Sequence, residues 1–280
     1  MDVLLTGAHG TVGSAITDHL DREFTLLDRE QPGDGDDGRE SRPDYDTVVA
    51  DVTDYDAIRP AFDGQDAVVH LAGYPSTDGS WPEVLENNVV GTRNALEAAA
   101  DAGVETFVFA STNHVVGMYE VENAPDIYHP DFDLTVDHTG PVRPDSPYGA
   151  SKVCGEGFGR YYAENRGISF YAIRICSVRD PEYDHPYGDA ERGVDRGDWE
   201  RGSEEYEKMV ARMKAMWHSR RDLAHMVECC LDDGSVTFDI FYGVSDNDPE
   251  RRWFDLDHAR EVLGYDPQDS GEEWDAPPER

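Results

Sequence analysis

Lysine is almost missing from this 280-residue chain: of 24 basic residues, only Lys152, Lys208 and Lys214 are lysines. Sixty acids leave a formal charge of −36, and so negative a surface repels phosphate backbones and anionic lipid, which excludes nucleic acid and membranes as partners. No apolar run is long enough to span a bilayer, and Met1 leads straight into an apolar segment with no leader pattern. A cytoplasmic location is expected. Cysteine is scarce too: Cys154, Cys176, Cys229 and Cys230 fall at no metal-ligand spacing, so no metal site is expected and the thiols read as free and buried. The acids are not gathered into blocks and no period repeats, which excludes an acidic disordered tail and a repeat architecture.

What is present is concentrated in a few stretches. Tyr148-Gly-Ala-Ser-Lys152 sets a phenol and one of the rare amines four residues apart. On a helix, positions i and i+4 share a face, so both can enter one site. A tyrosine alone is a poor base, with a pKa of about 10, and a neighbouring cation is expected to lower it until the phenolate can accept a proton from an alcohol.

At the other end, Val3-Leu4-Leu5-Thr6 reads as a buried strand, followed by Gly7-Ala8-His9-Gly10-Thr11-Val12-Gly13 and an amphipathic run from Ser14 to Leu20. Strand, glycine turn and helix start are the context of a dinucleotide fingerprint. Gly7 permits the turn, Gly10 lets a pyrophosphate approach the backbone, and Gly13 lets helix and strand pack closely. The pyrophosphate then meets the free N–H groups of the helix start. The next strand, from Phe24, ends in Asp28-Arg29. A carboxylate there accepts from ribose hydroxyls and repels a 2′-phosphate, so NAD is expected over NADP; Arg29 is the residue that could reverse this.

Further strand-like runs recur at Thr47–Ala50, Ala67–Leu71, Thr106–Ala110, Ser169–Ile175 and Thr237–Tyr242, with helical patterns between several of them. The alternation predicts an α/β fold with a Rossmann-type doubly wound parallel sheet. The length suits a cofactor-binding core over 1–175 and a smaller C-terminal substrate lobe over 176–280 that also supplies the last strand. Glu30–Asp46 reads as an exposed loop, and Arg179–Lys208 as a polar insertion or lid, with His185 on a solvated loop.

These residues add up to a resemblance. Thr6–Gly13, Asp51-Val52, His70-Leu71-Ala72-Gly73, Asn87–Thr92 and Tyr148–Lys152 occur in order, and the chain resembles the extended short-chain dehydrogenase/reductases, the NAD-dependent epimerase/dehydratase superfamily, nearly end to end. The resemblance implies NAD as cofactor, with Asp51 and Val52 flanking the adenine and Leu71, Ala72, Gly73 and Ile175 lining its cleft. It implies that Tyr148 and Lys152 form the catalytic pair, that Asn88 holds the site, and that a dimer or larger homo-oligomer forms. The family's catalytic hydroxyl falls on Thr112, where serine is commoner, with Ser111 as the fallback. The alternative for Ser111 is a bond to the local backbone.

Asn113-His114 after that hydroxyl is similar to the uronate dehydrogenases and the archaeal NAD-dependent glucose-6-phosphate dehydrogenases, and the latter resemblance extends over Leu27–Glu30, Gly159–Tyr162, Ala215–Trp217, Glu228–Cys230, Ser245–Asn247 and Val262–Asp269. Both oxidise a sugar at C1 to a lactone, which implies Ser111, Thr112, Asn113, His114 and Tyr148 at the substrate. Arg212, Lys214, Arg220 and Arg221 stand in a stretch with no acid between Val210 and Arg221. Arg212 aligns with the uronate enzymes' carboxylate-binding arginine. A guanidinium grips carboxylate or phosphate, so an anionic aldose is expected; ion pairs or a subunit contact are the other reading. Ser219 and Asp222 read as a helix cap, which would put Arg220 and Arg221 on an exposed first turn. A neutral-aldose dehydrogenase and a nucleotide-sugar epimerase or dehydratase are the alternatives. The longer Arg179–Lys208 segment and Cys176, where the family has a small or polar residue, depart from the pattern. The even spread of acids with little lysine resembles a halophile's protein.

Overall fold

Consecutive apolar residues in Val3–Thr6, Ala67–His70 and Phe107–Phe109 leave strands with no polar face, so both sides of their sheet must be covered. A computed structural model describes residues 1–31, 45 and 47–279. It contains β1 (Val3–Thr6), β2 (Phe24–Asp28), β3 (Thr47–Val49), β4 (Ala67–His70), β5 (Thr106–Thr112), β6 (Ser169–Ile175) and β7 (Phe238–Gly243). All neighbours pair in parallel, in the order β3-β2-β1-β4-β5-β6-β7. This is the expected doubly wound sheet. The order reverses between β1 and β4, and the crevice off their carboxyl ends is where such sheets take ligands.

Helices cover the two faces. α1 (Thr11–His19) and α6 (Arg220–Asp232) enclose Leu5, Val69, Ile16 and Leu223 on one side. On the other, α2 (Gly91–Ala102) and α3 (Pro147–Arg166) enclose Leu4, Val68, Leu96 and Tyr162. Leu4 and Leu5, adjacent on β1, belong to different clusters, as the strand period of two requires. Most strands fall within about a residue of their expected places, but β5 runs two residues beyond Ala110 and carries Ser111 and Thr112 on its end.

The expected Glu30–Asp46 loop lies largely outside the described residues; within it, the Tyr45 ring sits 6.3 Å from that of Phe24. The 179–208 segment, expected as a polar insertion or lid, is largely helical. It forms a turn at Pro181–Tyr183, α4 (Gly188–Arg196) and the start of α5 (Glu204–Met216), held by a small core of Ala190, Tyr206 and Val210 with Trp199 packed against it. His185 is buried rather than solvated, because its ring stacks on Trp274 at 5.5 Å. The chain beyond Ile175 divides between α4 and α5 on the one hand and the sheet on the other, to which α6 and β7 return. All four cysteines are free, yet Cys154 is exposed and Cys229 half-buried. Among the described residues, no helix is long and apolar enough to cross a membrane.

Candidate active site

The chain turns at the end of β1 through Gly7, whose φ is +70° and where a Cβ would fall 2.6 Å from the Ala72 backbone nitrogen. A Cβ at Gly13 would meet the Ala8 carbonyl oxygen at 2.3 Å. At Gly10 only the Gly7 oxygen, at 3.4 Å, approaches that position, so the fold itself does not demand glycine there and space is kept above the helix start. No side chain caps α1 and its first turn carries no acid, which leaves its N–H groups and positive end available to an anion. These features fit the pyrophosphate of NAD.

A cavity of about 560 Å³ is lined by Gly7, Gly10, Thr11, Val12 and Gly13, by Leu71 and Gly73, and by Ile175. Tyr148, Lys152, Ser111, Thr112, Asn113, His114 and Arg212 line the same cavity. Asp28, Arg29, Asp51, Val52, Ala72 and Asn88 are not part of its lining. Asp28 ends β2 and accepts from the backbone N–H of His9 at 3.0 Å and of Arg29 at 2.8 Å. Arg29 is exposed, with Glu30 at 4.0 Å. Asp51 accepts from the Thr53 N–H at 2.9 Å, and the Asn94 amide fixes the same turn by donating to the Val52 and Thr53 carbonyls at 3.0 Å each.

Ser146 caps α3 by accepting from the Gly149 N–H at 3.1 Å, and Pro147 opens its first turn. The helix lies directly on β5: a Cβ at Gly149 would meet the His114 oxygen at 2.4 Å, and one at Gly155 would strike the Phe109 ring at 2.3 Å. This close approach brings Tyr148 and Lys152 to the end of β5. The Thr112 hydroxyl lies near enough to the Tyr148 phenol to favour its ionised form. The Lys152 ammonium sits 4.8 Å from the Phe109 ring centre and 5.8 Å from that of Tyr148.

Burial dominates the electrostatics of the pair. It pushes Tyr148 up to about 12, against the effect of Thr112, and brings Lys152 down to about 8. The lowered tyrosine pKa expected from the sequence is corrected: burial disfavours the phenolate and outweighs the effect of Thr112. Burial, assisted by the Lys152 charge, also takes His70 down to about 3. Neutral His70 bridges Thr6 at 2.8 Å and Thr92 at 3.3 Å.

The neighbouring hydroxyls are engaged differently. Ser111 donates to Glu156 at 2.6 Å, within a buried network in which Arg174 holds both Glu156 oxygens at 2.9 Å and reaches Tyr242 at 3.0 Å. Asn113 is buried, and its amide nitrogen has no hydrogen-bond partner among the described residues. His114 Nδ1 lies 2.7 Å from Asp145 Oδ2. Burial raises the Asp145 carboxyl, but His114 and Ser146 together bring it below the ordinary range. Asn88 sits in a π-helical turn, Leu85–Val90, a distortion common at functional sites. It accepts from the Tyr74 N–H at 2.6 Å and donates to the Tyr74 carbonyl at 3.2 Å and to Ser151 at 2.9 Å.

The cationic stretch disperses. Lys214 reaches the Trp274 carbonyl at 3.1 Å and Arg221 pairs with Asp269 at 2.6 Å. Ser219 caps α6, accepting from the Asp222 N–H at 3.1 Å. Arg220, expected on an exposed turn, is buried; it bonds the Thr11 carbonyl at 3.1 Å and Asp18 at 2.5 Å, tying α6 to α1. Of the four, only Arg212 lines the cavity, and Glu120 holds it at 2.6 Å. Glu120 and Asp145 carried no motif that marked them, because their partners, Arg212 and His114, lie far away in the chain.

A nucleotide-binding crevice beside a half-buried tyrosine and a buried lysine and threonine defines a nicotinamide-dependent oxidoreductase of the short-chain type. The chain matches the NAD dependent epimerase/dehydratase family over residues 3–235 and belongs to it. It is 43% identical over 279 residues to the NAD-dependent glucose-6-phosphate dehydrogenase of Haloferax volcanii, covering 97% of this chain and 95% of that one. It is 35% identical over 277 residues to an L-arabinose 1-dehydrogenase (NAD(P)(+)) of the same organism, covering 96% of each. Among solved structures, uronate dehydrogenase from Agrobacterium tumefaciens superposes with a TM-score of 0.75 at 26% identity, over 100% of this chain and 91% of that one.

Proposed function

We propose that the protein is an NAD-dependent dehydrogenase that oxidises C1 of an aldose to the lactone, and that the aldose is anionic, glucose 6-phosphate or a hexuronate. One observation carries the reading: a single cavity is lined both by the glycine turn and by Tyr148, Thr112, Lys152, Asn113, His114 and Arg212. The likeness to the Haloferax glucose-6-phosphate dehydrogenase over almost all of both chains supports it.

When bound, NAD supplies the acceptor for the hydride that leaves C1. Thr112 holds the C1 hydroxyl oxygen and fixes the Tyr148 oxygen beside it. Tyr148, as phenolate, takes the hydroxyl proton while the C–H electron pair departs, so the C1 oxygen becomes the lactone carbonyl. Lys152 supplies the positive charge against which the phenolate forms. Asn113 offers its unpartnered amide to a sugar hydroxyl, and the Asp145 bond to Nδ1 leaves His114 Nε2 for another. Asn88 positions the loop at Tyr74 and, through Ser151, the first turn of α3. Ser111, committed to Glu156, supports the end of β5 rather than the reacting oxygen. Leu71, Ala72, Gly73 and Ile175 shape the cofactor cleft, Asp51 and Val52 its adenine end, and Asp28 rejects a 2′-phosphate. A homo-oligomer belongs to the same reading and is checked by light scattering.

A neutral aldose is the second reading, favoured by the Glu120 carboxylate already beside Arg212. NADH formation in concentrated salt, with glucose 6-phosphate, glucuronate, galacturonate, arabinose, xylose and glucose as substrates, separates the two. Turnover confined to the neutral sugars would remove the anionic reading.

A further inference from the structure

Two further arginines, Arg179 and Arg192, line the cavity besides Arg212. Arg192 is half-buried on α4. Arg179 is committed to Asp189, with bonds of 2.5 and 2.6 Å to its two oxygens. Arg212 is committed to Glu120, with Asp189 a further 3.6 Å away. Arg192 makes no hydrogen bond or ion pair with any described residue, in a chain with 60 acids available to pair with it. Its charge is nevertheless felt in this corner: burial raises the Asp189 carboxyl, and Arg179, Arg212 and Arg192 together bring it below the ordinary range.

The inserted segment holds the helix that carries Arg192 in place. Glu191, next to Arg192, is buried and bonds Tyr206 at 2.8 Å and Arg201 at 2.9 Å. The Trp199 indole donates to the Ala190 carbonyl at 2.9 Å, and its ring lies 2.0 Å from where a Gly193 Cβ would be. These contacts fix α4 against α5, the helix that carries Arg212.

Charge then decides the ligand. A phosphomonoester carries nearly two negative charges at neutral pH and three acceptor oxygens, whereas a carboxylate carries one charge. Arg212, balanced by Glu120, contributes little net charge to a dianion. A second guanidinium with no hydrogen-bonded carboxylate contributes further positive charge and a fork of donors.

We propose that Arg192 recognises a phosphate ester on the sugar and, beside Arg212, makes the enzyme discriminate phosphorylated from unphosphorylated aldoses. The inference rests on the sugar-dehydrogenase reading and narrows its anionic substrate to a sugar phosphate. Arg192→Gln and Arg192→Lys are compared with the wild type in one high-salt buffer, with glucose 6-phosphate, glucuronate and glucose. For Arg192→Gln, the KM for glucose 6-phosphate should rise about 10- to 100-fold through loss of charge-assisted bonds. The preference for glucose 6-phosphate over glucose should fall by a similar factor, and inorganic phosphate should weaken in parallel as a competitive inhibitor. Arg192→Lys should recover part of each loss. Equal effects on glucose 6-phosphate and glucose, a shift confined to NAD affinity, or no change would overturn the proposal. So would a wild type that oxidises glucuronate and not glucose 6-phosphate, with the anionic-sugar reading left standing. A wild type active only on neutral sugars would remove both.

Discussion

Arg212 and Glu120, 92 residues apart in the chain, meet at 2.6 Å in the wall of the cavity, both largely buried. The arginine that the sequence offers as an anion clamp is therefore charge-balanced within the fold. Burial disfavours its guanidinium, but the Glu120 charge outweighs this and holds it protonated. An incoming anion must share Arg212 with Glu120.

Breaking such a pair leaves an uncompensated charge indoors, at a cost of about 3–5 kcal/mol. Arg212→Met should lower stability by about that amount, and the double variant Arg212→Met, Glu120→Met by clearly less. Denaturant midpoints at fixed salt measure both. Equal losses in the single and double variants would show that the pair is not the source.

The Tyr148–Lys152 pair sets the pH dependence. With Lys152 at about 8 and Tyr148 at about 12, the pair near neutrality is phenol beside ammonium. Loss of one proton gives phenolate with ammonium or phenol with amine, and these two forms hold equal numbers of protons, so their ratio does not change with pH. Sugar oxidation should rise about tenfold per pH unit below about pH 8 and then level off. In Lys152→Met the rising limb should move to higher pH, towards the range of an isolated buried tyrosine. A kcat/KM profile that is flat from neutrality upwards in the wild type would contradict this.

The glycine turn, the parallel sheet and the i, i+4 pair were legible because each rests on neighbours in sequence: Gly7 on its φ, Lys152 on the helix repeat. Other features depend on partners that only the fold brings near. Ser111 finds Glu156 45 residues on, and His114 finds Asp145 31 residues on. Arg220 looked exposed because a first helical turn usually is, but α6 lies on α1 and buries it. The 179–208 segment looked polar because its small core is assembled from a few spaced residues, Ala190, Trp199, Tyr206 and Val210.

Asn88 should act by position. Asn88→Ala leaves the Tyr74 backbone groups and the Ser151 hydroxyl without their partner, each worth about 1–3 kcal/mol where buried. We expect kcat to fall about 10- to 100-fold, with a smaller change in NAD affinity by titration. A loss confined to NAD affinity would place Asn88 at the cofactor instead.

Asp28 should set cofactor choice. Its carboxylate ends β2 and is held by the His9 and Arg29 N–H groups. Asp28→Ser should raise the efficiency with NADP relative to NAD by about tenfold or more, since it removes a charge that repels a 2′-phosphate. Comparable efficiencies with the two cofactors in the wild type would contradict the assignment.

Whether Tyr148 takes the proton from the C1 hydroxyl of an aldose is decided by Tyr148→Phe. Lactone and NADH formation from glucose 6-phosphate in concentrated salt is followed alongside NAD binding. Turnover should fall by at least about 10³-fold while NAD still binds; turnover close to the wild type's would rule out Tyr148 as the base.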